Sequence, residues 1–199
     1  MNAGDARAEI MRSIRTHLAA SARNDGRETP VKVDPSESPS QTAAADLVEL
    51  FKRNLESVDG HCIVVQSNAE VEENVRRLTE GKLIATSDAP PATKDLFKYD
   101  AGITMAQAGI AETGTLVLDS SVERNRLVSL VPPVHIAILD ASRIYQTLGE
   151  TLAALQNGEQ VSPAITFITG PSRTADIELT LAIGVHGPQE LYVIVNRNS

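Results

Sequence analysis

The fold class is decided by residues 42–85, which read TAAADLVELFKRNLESVDGHCIVVQSNAEVEENVRRLTEGKLIA. Two segments with apolar residues at helical spacing alternate here with two short apolar runs, Cys62–Val65 and Leu83–Ala85. Ser67 and Glu70 form a capping-box pattern, which marks the start of the second helix. Strands that are apolar along their whole length are typical of parallel sheets buried on both faces. The stretch therefore predicts an α/β fold, a mostly parallel sheet with helices on both faces.

The same alternation continues toward the C-terminus, so we predict one α/β domain over residues 41–199. Two glycine-containing stretches, 102–119 and 170–188, interrupt it. The later predicted elements are the strands Val134–Leu139, Ile165–Ile168 and Leu191–Val195, and a helix that contains Ile144, Leu148, Leu152 and Leu155 and ends at Gly158.

Residues 1–40 have a different character. Apolar residues recur at helical spacing over residues 5–20, which predicts an amphipathic helix. The following stretch, 21–41, is rich in Ser, Pro and acidic residues and has little to bury, so we predict a mobile arm there. We expect neither a signal peptide nor a transmembrane span.

Composition bears on the partners and the compartment. Acidic residues outnumber basic ones by 26 to 18, a net charge of -8, which argues against a nucleic acid partner. The single cysteine, Cys62, lies in an apolar run, which predicts a buried thiol in a cytoplasmic protein. One cysteine and four scattered histidines predict neither a metal site nor an iron–sulfur cluster on this chain.

The loop Gly170–Glu178 carries the most suggestive set of polar residues and directly follows a predicted strand. In open α/β sheets, ligands bind beyond the carboxyl ends of the strands. A glycine for close backbone approach, hydroxyl donors and a guanidinium suit an anionic ligand. The predicted ligand-binding residues are Gly170, Ser172, Arg173 and Thr174, and the candidate acids or bases are Asp176 and Glu178. Thr174 or Asp176 could equally cap the next element, and residue chemistry leaves both interpretations open.

Two further turns carry candidate residues. In Ala111–Thr115, Glu112 is a candidate base or nucleophile, and backbone amides and hydroxyls of Thr113, Gly114 and Thr115 could bind a phosphate or carboxylate. In Gly184–Pro188, His186 and Gly187 could contact an anion. A purely structural turn is the alternative in both places. The two arginines of the segment Ser120–Arg126 could reach the same cleft, but a solvated charged turn is the commoner outcome and is predicted here.

Together, three motifs resemble the lactate-utilisation protein C family, whose LUD domain has them in the same order. They are AGIAETGTLVL at 108–118, GPSRTADIE at 170–178 and GVHGP at 184–188. The resemblance covers about residues 42–196. It implies a NagB/RpiA/CoA transferase-like fold with a 5-formyltetrahydrofolate cyclo-ligase-like arrangement. It also implies a role in a bacterial three-protein system that oxidises L-lactate to pyruvate, in which the two partner proteins carry the iron–sulfur clusters.

Three functions are compatible with these observations. The leading expectation is a subunit of that iron–sulfur system, which binds a small anion in a cleft and has no assigned catalytic step of its own. An alternative is a free-standing sugar-phosphate isomerase or acyl-CoA transferase, with Glu112 or Asp176 as base or nucleophile. A third is a ligand-sensing regulatory module.

Overall fold

The structure is a computed structural model that describes residues 41–87, 92–123, 125–155, 163–175, 181–183 and 187–198. The predicted N-terminal helix and arm lie outside these residues. In chain order the helices and strands are α1 (Gln41–Glu56), β1 (His61–Val65), α2 (Asn68–Thr79), β2 (Ile84–Thr86), β3 (Ala101–Ala106), β4 (Ala108–Ile110), β5 (Thr115–Asp119), β6 (Val134–Asp140), β7 (Ile144–Tyr145), α3 (Leu148–Leu155), β8 (Ile165–Ile168), β9 (Arg173–Ala175), β10 (Leu181–Ile183) and β11 (Glu190–Asn196).

Five strands form a parallel central sheet in the order β1-β11-β6-β3-β2. Helix α1 covers one face, where Phe51 packs with Leu139 and Val193. Helix α2 covers the other face, where Val71 packs with Ile136. Burial on both faces explains why these strands are apolar throughout. The predicted mostly parallel sheet with helices on both faces is confirmed.

The start of α2 has the predicted capping geometry. The Ser67 hydroxyl accepts a hydrogen bond from the Glu70 amide at 3.3 Å, and the Glu70 carboxylate accepts one from the Gln66 amide at 3.0 Å. The Glu70 amide in the first turn of the helix and the Gln66 amide directly before the N-cap Ser67 are thereby satisfied.

A second sheet of four strands has the order β7-β4-β5-β8. Its strand β5 is antiparallel to both β4 and β8. One face contributes Leu116 to the cluster around α1, and the other contributes Val117 to a cluster that includes Leu155 of α3. This sheet therefore lies between two helices.

Two predictions need correction here. Ile165–Ile168 was expected to continue the parallel alternation, yet it pairs antiparallel with β5 in the second sheet. The helix expected from Ile144 to Gly158 begins only at Leu148, because Ile144 and Tyr145 pair with β4 as strand β7, and Gly158 lies outside the described residues. Thr147 then caps the helix, its hydroxyl accepting from the Glu150 amide at 3.3 Å.

The amino edge of the parallel sheet is closed by the segments that precede its strands. Pro133 comes directly before β6 and Pro188 shortly before β11. The Gln189 amide donates to the Pro133 carbonyl at 2.7 Å, which ties together the segments that lead into these two strands. The turn 57–60, which leads from α1 into β1, lies at the same edge.

Candidate functional site

The predicted site residues are described to different extents. Asp176, Glu178 and His186 lie outside the described residues, and Arg173 and Thr174 are described only as backbone of β9. The rest of the predicted set is described in full and comprises Glu112, Thr113, Gly114, Thr115, Gly170, Ser172 and Gly187.

A chain of three hydroxyls links the first motif to Thr169, the residue directly before the second motif. Thr113 Oγ1 lies 2.7 Å from Thr115 Oγ1, which lies 2.6 Å from Thr169 Oγ1. Thr115 is buried, whereas Thr113 and Thr169 are exposed. Each hydroxyl has one hydrogen to donate, so the two internal bonds use two of the three hydrogens. Where Thr115 donates one of these bonds, the third hydrogen belongs to Thr113 or Thr169, and that exposed hydroxyl can donate to a ligand.

The second motif also contacts the third. The Ser172 amide donates to the Pro188 carbonyl at 2.8 Å. A Cβ on Gly187 would come within 2.8 Å of Ser172 Cβ, so glycine is required for this approach. The structure thus brings the three motifs together through Thr115, Thr169, Ser172 and Gly187, which we call the three-motif cluster.

Two glycines near this cluster have no room for a side chain. Gly114 (φ +64°) and Gly170 (φ +80°) both adopt left-handed backbone. A Cβ on Gly114 would lie 2.2 Å from Leu55 N in α1, and one on Gly170 would lie 2.7 Å from Val58 O in the following turn. The close approach of Gly114 to α1 therefore supports the alternative that its turn has a purely structural role.

The side chain of Asn54 holds the first motif against α1. Its Nδ2 donates to the carbonyls of Ala111 at 2.7 Å and of Glu112 at 3.0 Å. One amide group thereby satisfies two carbonyls of the turn between β4 and β5.

Glu112 is exposed and contacts the start of α3. Its Oε1 accepts a hydrogen bond from the Leu148 amide at 3.3 Å, and its own amide donates to Gln146 O at 3.1 Å. A carboxylate at a helix N-terminus is electrostatically favourable. This contact gives Glu112 a role in positioning α3, and its charge would repel a second anion placed beside it.

The cluster lies at the edge of the sheet opposite to the predicted one. Gly170 packs on Val58, which precedes β1, and Ser172 bonds Pro188, which precedes β11. The loop after β8 was expected beyond the carboxyl end of a parallel strand. That expectation is wrong, because β8 belongs to the second sheet and the loop meets the amino edge of the first.

Sequence analysis did not identify His135, a buried histidine that forms a hydrogen bond with Thr104. Thr104 Oγ1 and His135 Nε2 are 2.8 Å apart, and both residues are 1% exposed. Burial lowers the pKa of His135 to about 4, so its ring is neutral at pH 7. Its Nδ1 has no hydrogen-bond partner within the described part of the chain. The sequence did indicate this burial, because a histidine inside an apolar parallel strand must be buried.

Glu123 was also missed. It falls in the segment predicted to be solvated, yet it is only 3% exposed, so that prediction is wrong for this residue. Its Oε1 accepts a hydrogen bond from the Met105 amide at 3.0 Å. Its polar sequence neighbours gave no sign of this burial.

A cavity of about 500 Å³ lies along the edge strand β1, and none of its lining residues belongs to the three-motif cluster. Cys62 is among the residues that line it, and burial raises the pKa of its thiol to about 12. The predicted buried thiol is confirmed. The lining residues are Glu56, His61, Cys62, Ile63, Arg77, Leu78 and Tyr192.

The described residues offer neither a metal site nor a membrane span. They contain no group of three or more His, Cys, Asp or Glu side chains that could hold a metal ion. Nor do they contain a helix long and apolar enough to cross a membrane.

One crystal structure supports the fold. A DUF162 family protein from Deinococcus radiodurans superposes with a TM-score of 0.60 at 23% identity, covering 77% of this chain and 98% of that one.

Sequence comparisons give the family. The LUD domain family matches residues 87–195. An uncharacterized protein of Neisseria meningitidis serogroup B, NMB1437, is 49% identical over 103 residues, which is 51% of this chain and 44% of that protein. Lactate utilization protein C of Exiguobacterium sp. is 41% identical over 116 residues, 55% of this chain and 50% of that protein. These two matches therefore span about half the length of each relative.

A third relative matches a larger share of both proteins. Lactate utilization protein C of Bacillus subtilis is 31% identical over 171 residues, which is 78% of this chain and 71% of that protein. The chain therefore belongs to the lactate utilization protein C family, and its LUD domain covers residues 87–195.

Proposed function

We propose that this chain takes part in lactate utilisation, as a subunit of an iron–sulfur system that oxidises L-lactate to pyruvate in the bacterial cytoplasm. The observation that carries the proposal is the match to the Bacillus subtilis protein over 71% of its length. The proposal assigns ligand binding to this chain and the iron–sulfur clusters to partner proteins. The single cysteine supports this division, because its buried thiol, with a pKa of about 12, resists the deprotonation that cluster ligation needs.

The proposed ligand is a small anion at the three-motif cluster. The exposed hydroxyls at the two ends of the Thr113–Thr115–Thr169 chain support it as hydrogen-bonding groups. We assign the charge that attracts the anion to Arg173, which follows Ser172 directly. The remaining members of the proposed site are Thr174, Asp176, Glu178, His186 and Gly187.

Growth on L-lactate tests the site. A strain whose own copy is deleted is complemented with Thr115→Val, which keeps the shape of the side chain and removes the central hydroxyl. We expect growth on L-lactate to slow and growth on pyruvate to stay normal. Thr166→Val is the matched control, because Thr166 lies on the neighbouring strand β8 outside the hydroxyl chain.

Arg173→Ala is the companion variant. We expect it to abolish growth on L-lactate with an unchanged unfolding transition, because it removes the proposed charge and leaves the described packing intact. Normal growth of this variant together with normal growth of Thr115→Val would rule out the three-motif cluster as the working site.

A further inference from the structure

Glu123 is a buried carboxylate that completes the edge of a strand. The pairing of β2 with β3 ends at Thr86 opposite Ile103, so the Met105 amide lies beyond the reach of β2. Glu123 Oε1 accepts the hydrogen of that amide at 3.0 Å and supplies an acceptor that β2 does not provide. The other oxygen, Oε2, is buried and has no hydrogen-bond partner among the described residues.

The position of this oxygen favours ligand binding. Met105 lies near the carboxyl end of β3, and ligands of open α/β sheets bind beyond the carboxyl ends of the parallel strands. The Glu123 amide bonds Asp119 O at 2.8 Å at the end of β5, whereas Thr115 begins that strand. Roughly 14 Å of strand therefore separates Glu123 from the three-motif cluster, and the inference stands independently of the proposed function.

The groups around Glu123 Oε2 indicate the chemical class of ligand that would bind there. An unpaired buried carboxylate oxygen is costly, and a cation with N–H donors offsets that cost best. Met105, whose amide Glu123 bonds, and Val122, which directly precedes Glu123, are 48% and 60% exposed, so apolar residues next to the carboxylate in the chain and in the hydrogen bond reach the surface. The net charge of -8 attracts cations to the molecule. We propose that Glu123 anchors a binding site for a small aliphatic ammonium compound at the carboxyl end of β3.

Nuclear magnetic resonance can detect binding at this site, because the Met105 amide hydrogen is bonded to the Glu123 carboxylate and its resonance should shift when Oε2 binds a ligand. The purified full chain is titrated with propylammonium chloride at constant ionic strength. We expect a saturable shift of the Met105 amide resonance. Propyltrimethylammonium chloride has the same charge and no N–H donor, and we expect it to produce no saturable shift.

Glu123→Gln is the test variant, because its side-chain carbonyl still accepts from Met105 while Oε2 becomes an NH₂ group. We expect its affinity for propylammonium to fall by roughly tenfold or more, the loss typical of a charged hydrogen bond. Glu72→Gln, on the exposed face of α2, should bind like the wild type.

Three results would each overturn the proposal. The first is the lack of a saturable Met105 shift in the wild type, which means that Oε2 meets only water or a simple counter-ion. The second is an equal response to the two ammonium salts. The third is unchanged affinity in Glu123→Gln.

Discussion

Gly114 and Gly81 have nearly the same left-handed backbone, with φ of +64° and +70°. Their surroundings differ completely. A Cβ on Gly114 would meet the backbone of α1 at Leu55, whereas nothing lies within 4 Å of one on Gly81. Substitutions at these two glycines therefore distinguish the conformational cost of a side chain in left-handed backbone from the cost of a steric clash.

We expect Gly81→Ala to lower the free energy of unfolding by about 1 to 2 kcal/mol, the cost of a left-handed alanine. Gly114→Ala should cost about 2 kcal/mol more, because α1 must also shift. Urea denaturation of both variants measures the difference. Equal losses would show that the contact between Gly114 and α1 has no energetic weight.

His135 makes stability depend on pH. Its folded pKa of about 4 lies below the ordinary value of 6.5, so the unfolded chain binds the proton more readily. Stability is therefore lost as the pH falls from about 6.5 toward about 4. Between pH 7 and pH 5 this group should account for a loss of about 2 kcal/mol.

The measurement is urea denaturation at the two pH values for the wild type and His135→Gln. The variant should lose about 2 kcal/mol less than the wild type, because its amide does not titrate. His61→Gln, which changes an exposed histidine, should behave like the wild type. An identical pH dependence in His135→Gln would show that His135 is not the cause.

Some residue roles could be predicted from the sequence and others could not. Ser67 caps its helix and Cys62 is buried, as local patterns indicated. The burial of Glu123 depends on an amide of Met105 that lies past the end of β2. Such a requirement arises only when distant segments meet, and no local pattern contains it.

At the scale of elements, β6 and β11 were predictable because strands buried on both faces are apolar throughout. The run that forms β8 has the same local character but pairs antiparallel in the other sheet. Periodicity does not reveal which strand a short apolar run will join. For that reason the expectation that the candidate loop lies at the carboxyl edge of the parallel sheet was wrong.

The contact between α1 and the turn after β4 gives a prediction for whole elements. Asn54→Asp replaces a donor with an acceptor that faces the carbonyls of Ala111 and Glu112. We expect a loss of about 3 kcal/mol in the free energy of unfolding, because both carbonyls lose their donor.

Asn74→Asp, on α2, is the control for this substitution. It makes the same chemical change at an exposed contact and should alter the free energy of unfolding by less than about 0.5 kcal/mol. Similar losses in the two variants would contradict an anchoring role for Asn54.

At the scale of the whole molecule, the proposed function predicts dependence on partners. We expect the purified chain to show no oxidation of L-lactate with an artificial electron acceptor. We also expect it to co-purify with iron–sulfur proteins from cells grown on L-lactate. Turnover by the isolated chain would instead favour the free-standing enzyme.

The order of the parallel sheet also has a consequence for synthesis. Among the described strands, β1 pairs with β11 alone, although more than a hundred residues separate them in the chain. At ordinary rates of translation, β1 leaves the ribosome on the order of ten seconds before its partner. During that time the run Cys62–Val65 is an unpaired apolar strand, the kind of segment that aggregates with its copies on neighbouring nascent chains. The yield of soluble protein should therefore depend on how well the cell shields this early strand until β11 emerges.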